Sequence, residues 1–298
     1  MPLVSVGNPT DEADLARRLE SGAILVFGDP PLRLGADDLD VLRRQNPTHS
    51  RFHKNIAYRP DSGRLGGVGG IPRDDREPIR RALANFSNEA VRVVGTLFPR
   101  YADSWRIGYT SFRPFEEAGR PLRTTSRNDL MHFDAFPSRP TNGDRILRFF
   151  TNIHPSQPRQ WISGGNFDLL AERYAVSSGI LAAVNEKGEE SRVGLLSRIF
   201  GKRNEKRSAY DEFMLRFHDH LKRNQDFQRN APREEFSFAP GSTWMVFTDG
   251  VSHAVLSGRH ALEQTFIVSR RSLASAESAP IAVLERLAGR LLSPGAVA

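Results

Sequence analysis

The sequence predicts an α+β protein whose core is mainly β, and three observations carry that expectation. From Ser104 onward, short runs rich in β-branched and aromatic residues recur between Gly, Pro, Asn and Asp, the pattern of an antiparallel sandwich or barrel. Before Ser104, and again between Phe167 and Gln228, apolar residues recur at helical spacing instead. At 298 residues, with 39% hydrophobic and 9% aromatic, the chain has enough apolar material to bury a sizeable core. A single domain over 1–298 is expected. Residues 1–103 would form a helical and strand-bearing support, 104–272 the β core with a helical insertion at about 168–230, and 273–298 a C-terminal helix.

The first elements are a strand AlaIleLeuValPhe (Ala23 to Phe27), a helix around Ala36 to Arg44, and a Gly- and Pro-rich loop from Pro60 to Pro72. ArgAspAspArgGluPro then puts acids in a first helical turn, and Ile79, Leu83, Phe86, Val91 and Val94 recur at near-helical spacing up to Pro99, as in a helix packed on the outside of a sheet. Strands follow at Ser104 to Arg113, Leu130 to Asp134, Arg145 to Ile153, Ser242 to Phe247, Ser252 to Leu256 and Ala261 to Val268. Inside the insertion, LeuLeuSerArgIlePhe breaks at Gly201, and a second helix runs from about Ser208 to Asn224. No repeat or low-complexity tract interrupts this order.

There is no cysteine, which excludes disulfides, thiol catalysis and cysteine-ligated metals, so any metal must be held by His, Asp or Glu. The first residues lack a basic start followed by an apolar core, and no run is long enough to span a bilayer, so a soluble, cytoplasmic protein is expected. The net charge of +7 points to an anionic partner. Much of the excess lies between Arg198 and Arg233, where ten Lys/Arg stand against five acids. No zinc-finger, basic-zipper or RNA-strand motif accompanies that charge, which argues against nucleic acid as the partner.

The sharpest chemical feature is His132-Phe133-Asp134, followed far downstream by His253 after Asp249-Gly250. In a strand, residues i and i+2 share a face, so His132 and Asp134 converge. Two imidazoles and one carboxylate on one side of an iron leave the opposite positions open, the arrangement of non-haem Fe(II) oxygenases. The chain carries its own control in His218-Asp219-His220. That run lies in an expected helix, where i and i+2 diverge by about 200° and cannot chelate one ion. It is expected to be a solvated helix face.

The order MetHisPheAspAlaPheProSerArgPro, a strand from Arg145, GlyGlyAsnPheAspLeuLeu (Gly164 to Leu170) after Trp161, then SerHisAlaValLeuSerGlyArgHisAlaLeuGluGlnThrPhe, resembles the Fe(II)/2-oxoglutarate oxygenase superfamily in its prolyl-hydroxylase-like branch. HisPheAspAlaPheProSerArgPro with GlyAspArgIleLeuArgPhePheThrAsnIle is similar to the Kdo hydroxylase family, which adds a hydroxyl at carbon 3 of the 3-deoxy-octulosonate sugar (Kdo) on lipid A. The resemblance implies a double-stranded β-helix (jelly roll), Fe(II), 2-oxoglutarate and dioxygen, with His132, Asp134 and His253 as metal ligands. It also implies a basic residue behind the distal histidine for the far carboxylate of 2-oxoglutarate, because a guanidinium fork matches that group. Arg259 is assigned here, with Arg270 and Arg127 as alternatives.

On the strand from Arg145, residues Arg148, Phe150, Asn152 and His154 share one face. Either that face is inward, making Arg148 and Asn152 2-oxoglutarate or substrate contacts, or it is outward with Leu147, Phe149 and Ile153 buried. Arg127 and Trp161 are assigned to the substrate. The implied partner is Kdo-lipid A or a related anionic glycolipid at the inner face of the inner membrane. ArgValGlyLeuLeuSerArgIlePheGlyLysArg would suit such a surface as an interfacial amphipathic helix, or would pack its apolar side on the barrel. Hydroxylation of a protein side chain or small metabolite by the same fold, plain nucleic-acid binding and a metal-free structural jelly roll are the competing functions.

Overall fold

The computed structural model describes residues 2–6, 11–45, 55–184 and 207–293. In chain order the strands are β1 (Leu3–Val6), β2 (Ile24–Phe27), β3 (Ile56–Arg59), β4 (Arg64–Gly66), β5 (Arg106–Arg113), β6 (Arg145–Asn152), β7 (Arg159–Asn166), β8 (Glu234–Phe238), β9 (Thr243–Phe247), β10 (Val251–Ser257) and β11 (Ala261–Val268). They build an eight-stranded sheet in the order β1-β2-β9-β6-β11-β5-β3-β4 and a three-stranded sheet β10-β7-β8. The β1–β2 pair is parallel and the other pairs are antiparallel.

Strand β6 lies at the centre of the large sheet, so both of its faces are covered. Phe150 packs with Trp161, Phe236, Phe238, Trp244, Val246, Val251 and Val255 in the space between the two sheets. Its next residue but one, Arg148, shares that face. On the opposite face Phe149 meets Phe86 of the Arg73–Leu97 helix, whose Ile79, Leu83, Phe86, Ala90 and Val94 are buried along one stripe. The question of which face of this strand is buried therefore has the answer both, and the Arg148 face is the one between the sheets.

The expected elements at Ala36 to Arg44, Ser208 to Asn224 and Ala261 to Val268 form as Ala36–Arg43, Ala209–Arg223 and β11. Ser208 caps the Ala209–Arg223 helix by accepting from Asp211 N–H at 3.2 Å, and Asp211 in turn accepts from Thr141 N–H at 2.7 Å. Three expectations are corrected. Leu130 to Asp134 is not a strand: its pairing is a single antiparallel bridge, His132 with His253. Beyond Asp134, Pro137 and Pro140 have no N–H to continue a ladder. The Pro60 to Pro72 segment contains β4, which folds back on β3 as a hairpin. Strands β7 and β8 were not expected, because β7 ends SerGlyGlyAsn and β8 is only five residues long. Among the described residues the C-terminal helix spans Pro280–Ala288. The amphipathic segment from Arg192 to Arg203 lies outside the described residues.

Candidate metal centre

His132 and His253 are bonded to each other twice through their backbones, at 3.1 and 3.0 Å. Two residues on, Asp134 N–H donates to Thr248 C=O at 2.9 Å, in the turn between β9 and β10. The bridge thus attaches the short 132–134 segment to the edge of β10, as a fourth member of the small sheet. One side chain completes the support: Gln228 accepts from Met131 N–H at 3.1 Å and donates to Met131 C=O at 2.9 Å. His132, Asp134 and His253 consequently present ligand atoms that all lie within 4.8 Å of one another.

The imidazoles are preset for a cation. His132 Nδ1 faces Leu130 C=O at 2.7 Å and His253 Nδ1 faces Val251 C=O at 3.0 Å. A carbonyl only accepts, so each Nδ1 carries the proton and each Nε2 keeps its lone pair for a metal. Burial, reinforced by the Lys222 charge, holds His132 well below the usual imidazole range. Burial also lowers His253, against the pull of Asp134. For Asp134, burial alone would raise the carboxyl, but Arg148, with Nε 2.6 Å from Oδ2, and the imidazoles hold it well below the usual range. Two neutral imidazoles and one carboxylate therefore face one point at neutral pH.

Around them opens a cavity of about 310 Å³. One wall is β7 and β10, with Trp161 stacked on His253 at 5.3 Å and 19°. Opposite stands the Ala209–Arg223 helix with His218 and Lys222, the His218 ring 4.8 Å from that of His132. The floor is a chain of ion pairs. Arg148 contacts both Asp134 and Glu263, and Arg113 contacts Glu263 at 2.7 Å and Glu117 at 2.9 Å. Arg159 lies 3.8 Å from Glu117.

A family model described as 3-deoxy-D-manno-oct-2-ulosonic acid (Kdo) hydroxylase matches residues 4–291. The chain belongs to the Kdo hydroxylase family. Among solved structures, this family member is similar to the Kdo hydroxylase KdoO, a non-haem Fe(II) α-ketoglutarate-dependent dioxygenase. The complex of KdoO with α-ketoglutarate and Fe(III) is 33% identical, with 98% of each chain covered and a TM-score of 0.83. The cobalt(II) complex is 33% identical over 100% of this chain and 99% of that one, with a TM-score of 0.85. The complex with succinate and Fe(III) is 32% identical over the same shares, with a TM-score of 0.83. No curated protein sequence matches the chain.

Within this Kdo hydroxylase-family chain the expected contacts divide. Trp161 and Arg148 line the cavity. Asn152 does not: its amide nitrogen donates to the carbonyls of Gln157 and Phe238, and its oxygen accepts from His154 N–H. Arg259 lies in the turn between β10 and β11, where Nε donates to Pro114 C=O at 3.1 Å, outside the cavity. Arg127 forks onto Asp129 at 2.9 and 2.6 Å, and Arg270 follows β11 beside Asp144. None of these three arginines lines the cavity. His218, expected on a solvated face, is turned inward, and Nδ1 meets Phe133 C=O at 2.8 Å. Arg159 was overlooked although it lies two residues before Trp161 in the same strand, where period two puts both on one face.

Proposed function

We propose that this protein is an Fe(II)/2-oxoglutarate-dependent dioxygenase that hydroxylates carbon 3 of Kdo on Kdo-lipid A, built as one catalytic domain on a double-stranded β-helix. The observation that carries this is the convergence of His132, Asp134 and His253 within 4.8 Å, in a chain matched to the Kdo hydroxylase family over 4–291. The donor set fits iron: two proton-free Nε2 atoms and a carboxylate held ionised by Arg148.

The cavity also fits a dicarboxylate. Arg159 is 1% exposed, and among the described residues its Nε has no hydrogen-bond partner and the buried indole N–H of Trp161 is likewise unanswered. Burial, opposed by Glu117, pushes the Arg159 guanidinium down to about 10, the mark of a buried cation short of counter-charge. Arg159, in place of Arg259, is therefore the residue for the far carboxylate of 2-oxoglutarate. When bound, iron with 2-oxoglutarate and dioxygen supplies the oxidising power for an unactivated C–H bond, which acid–base side chains cannot provide. The protein's own part is positional. Asp134 is fixed by Arg148 and by Thr248, Trp161 holds the ring plane of His253, and Phe150, Val255 and Trp161 keep that wall apolar.

The substrate is anionic, and the chain's +7 charge suits it. No described helix is long and apolar enough to cross a membrane. A peripheral position at the inner face of the inner membrane would bring such an enzyme to its lipid, and nucleic acid plays no part in this scheme. Succinate formation, measured with and without Kdo-lipid A in wild type and His132→Ala, tests the proposal. Lipid-stimulated succinate in wild type alone is expected. Lack of stimulation by that lipid would overturn the substrate, and equal succinate from both proteins would overturn the metal site.

A further inference from the structure

We infer that Lys222 is the residue that recognises the carboxylate of the sugar acid, a specificity contact made from the helical wall. This rests on the proposed function above, since it identifies which group of that substrate the helix reads. Among the described residues, four Lys/Arg side chains line the cavity, namely Arg113, Arg148, Arg159 and Lys222, against the carboxylates of Asp134 and Glu263. The three arginines are oriented by Asp134, Glu263 and Glu117 along the floor and the β7 side. Lys222 comes from the other side. It is 3% exposed, sits one turn beyond His218, and donates to Thr125 C=O at 3.3 Å. It lines the same cavity as His132 and His253, and His218, one turn before it, has its ring 4.8 Å from that of His132.

The chemistry of the substrate asks for a cation there. In a 3-deoxy-2-ulosonic acid the carboxylate is attached to carbon 2, the direct neighbour of carbon 3. When the carbon 3 methylene faces the metal, the carboxylate must lie beside the metal ligands. The Lys222 ammonium shares the cavity with His132, and a charge-assisted hydrogen bond from it to a carboxylate is strong in such a buried site. With the Arg159 side given to 2-oxoglutarate, the helical wall is where the sugar enters. Lys222 then makes the enzyme selective for an acid over a neutral sugar of the same shape.

The test compares wild type, Lys222→Met and Lys222→Gln on Kdo-lipid A and on its Kdo methyl ester, which removes only that charge. Cobalt(II) titration and thermal melting verify that each variant is folded. On the acid, kcat/KM should fall about 100-fold in both variants, the loss expected when one partner of a buried charged pair is removed. Wild type should lose a similar factor on the ester, and the variants should lose nothing further. Equal losses from the mutation on acid and ester would overturn the inference while leaving the hydroxylase function intact. A mutational loss that persists on the ester but vanishes on lipid stripped of phosphate would also overturn it, making Lys222 a phosphate contact. No turnover of Kdo-lipid A by wild type would instead bring down the proposed function, and this inference with it.

Discussion

The two walls of the cavity are held by different means. On the β7–β10 wall every functional residue is fixed by strand register: His253 lies opposite Ser163 and Val255 opposite Trp161, so the ladder itself sets ring positions. On the helical wall, His218 and Lys222 are held through their side chains, His218 against the carbonyls of Phe133 and Thr125 and Lys222 against that of Thr125. A ladder has many backbone bonds that share any strain, whereas a side-chain contact can be exchanged without disturbing the backbone. Under the proposed function the difference implies a division of labour, with reaction chemistry on the wall held by the ladder and substrate choice on the wall that can be altered residue by residue.

That division can be broken or sharpened by experiment, beginning with the largest effect. His253→Ala on the strand wall should abolish high-affinity Fe(II) binding and lower succinate formation by about 10³-fold or more. His220→Ala, on the helix but facing away from the cavity, should leave both within about twofold, and a large effect there would defeat the comparison. Arg159→Gln should raise the KM for 2-oxoglutarate by about 30- to 100-fold with Fe(II) affinity retained, while Arg259→Gln stays within about threefold. Steady-state kinetics with varied 2-oxoglutarate decide between the two arginines.

The floor beneath both walls should show itself in stability. Glu263→Gln breaks contacts to Arg113 and Arg148 where Glu263 is 1% exposed, and should cost about 3 kcal/mol in urea denaturation. Glu117 gives the pH dependence. Burial would raise its carboxyl, but Arg113 and Arg159 outweigh this and hold it below its ordinary value of 4.5. The unfolded chain therefore takes up the proton first as pH falls. Stability from this group is present above about pH 4.5 and is lost as the pH drops through the lower native value. The acid limb of a melting-temperature profile should be shallower in Glu117→Gln. Smallest of all, Asp219→Ala removes a largely exposed pair with Arg223 at 3.7 Å, and should change stability by less than about 0.5 kcal/mol.

The convergence of His132 and Asp134 was legible because period two needs only local backbone, and the bridge to His253 suffices to keep it. The long helix and β11 were legible from periodicity over many residues. His218 was misjudged for an instructive reason. Helical geometry correctly forbids His218 and His220 from sharing an ion, but does not say which side of the helix is buried. That depends on the turn around Thr125, distant in the chain. Arg259 is the basic residue just before the last strand, where the family resemblance expects one, yet the turn between β10 and β11, with His260 at φ 54, sets its Nε on Pro114 C=O. Arg159 is distant in sequence and adjacent in space, because β7 pairs with β10. Glu263, an acid inside the apolar run of β11, was a readable sign that a buried cation had to meet it.

Gln228 answers both main-chain groups of Met131, one residue ahead of His132, and it belongs to the far end of the helical insertion. A side-chain amide thus stands in for an absent neighbouring strand. Insertion and the 132–134 segment are in that sense one working part: a descendant that shortened the segment between Phe167 and Glu234 would have to supply a new neighbour for residue 131 or let the backbone beside His132 loosen. The piece that looks most dispensable by topology is the one that a minimal redesign should leave in place.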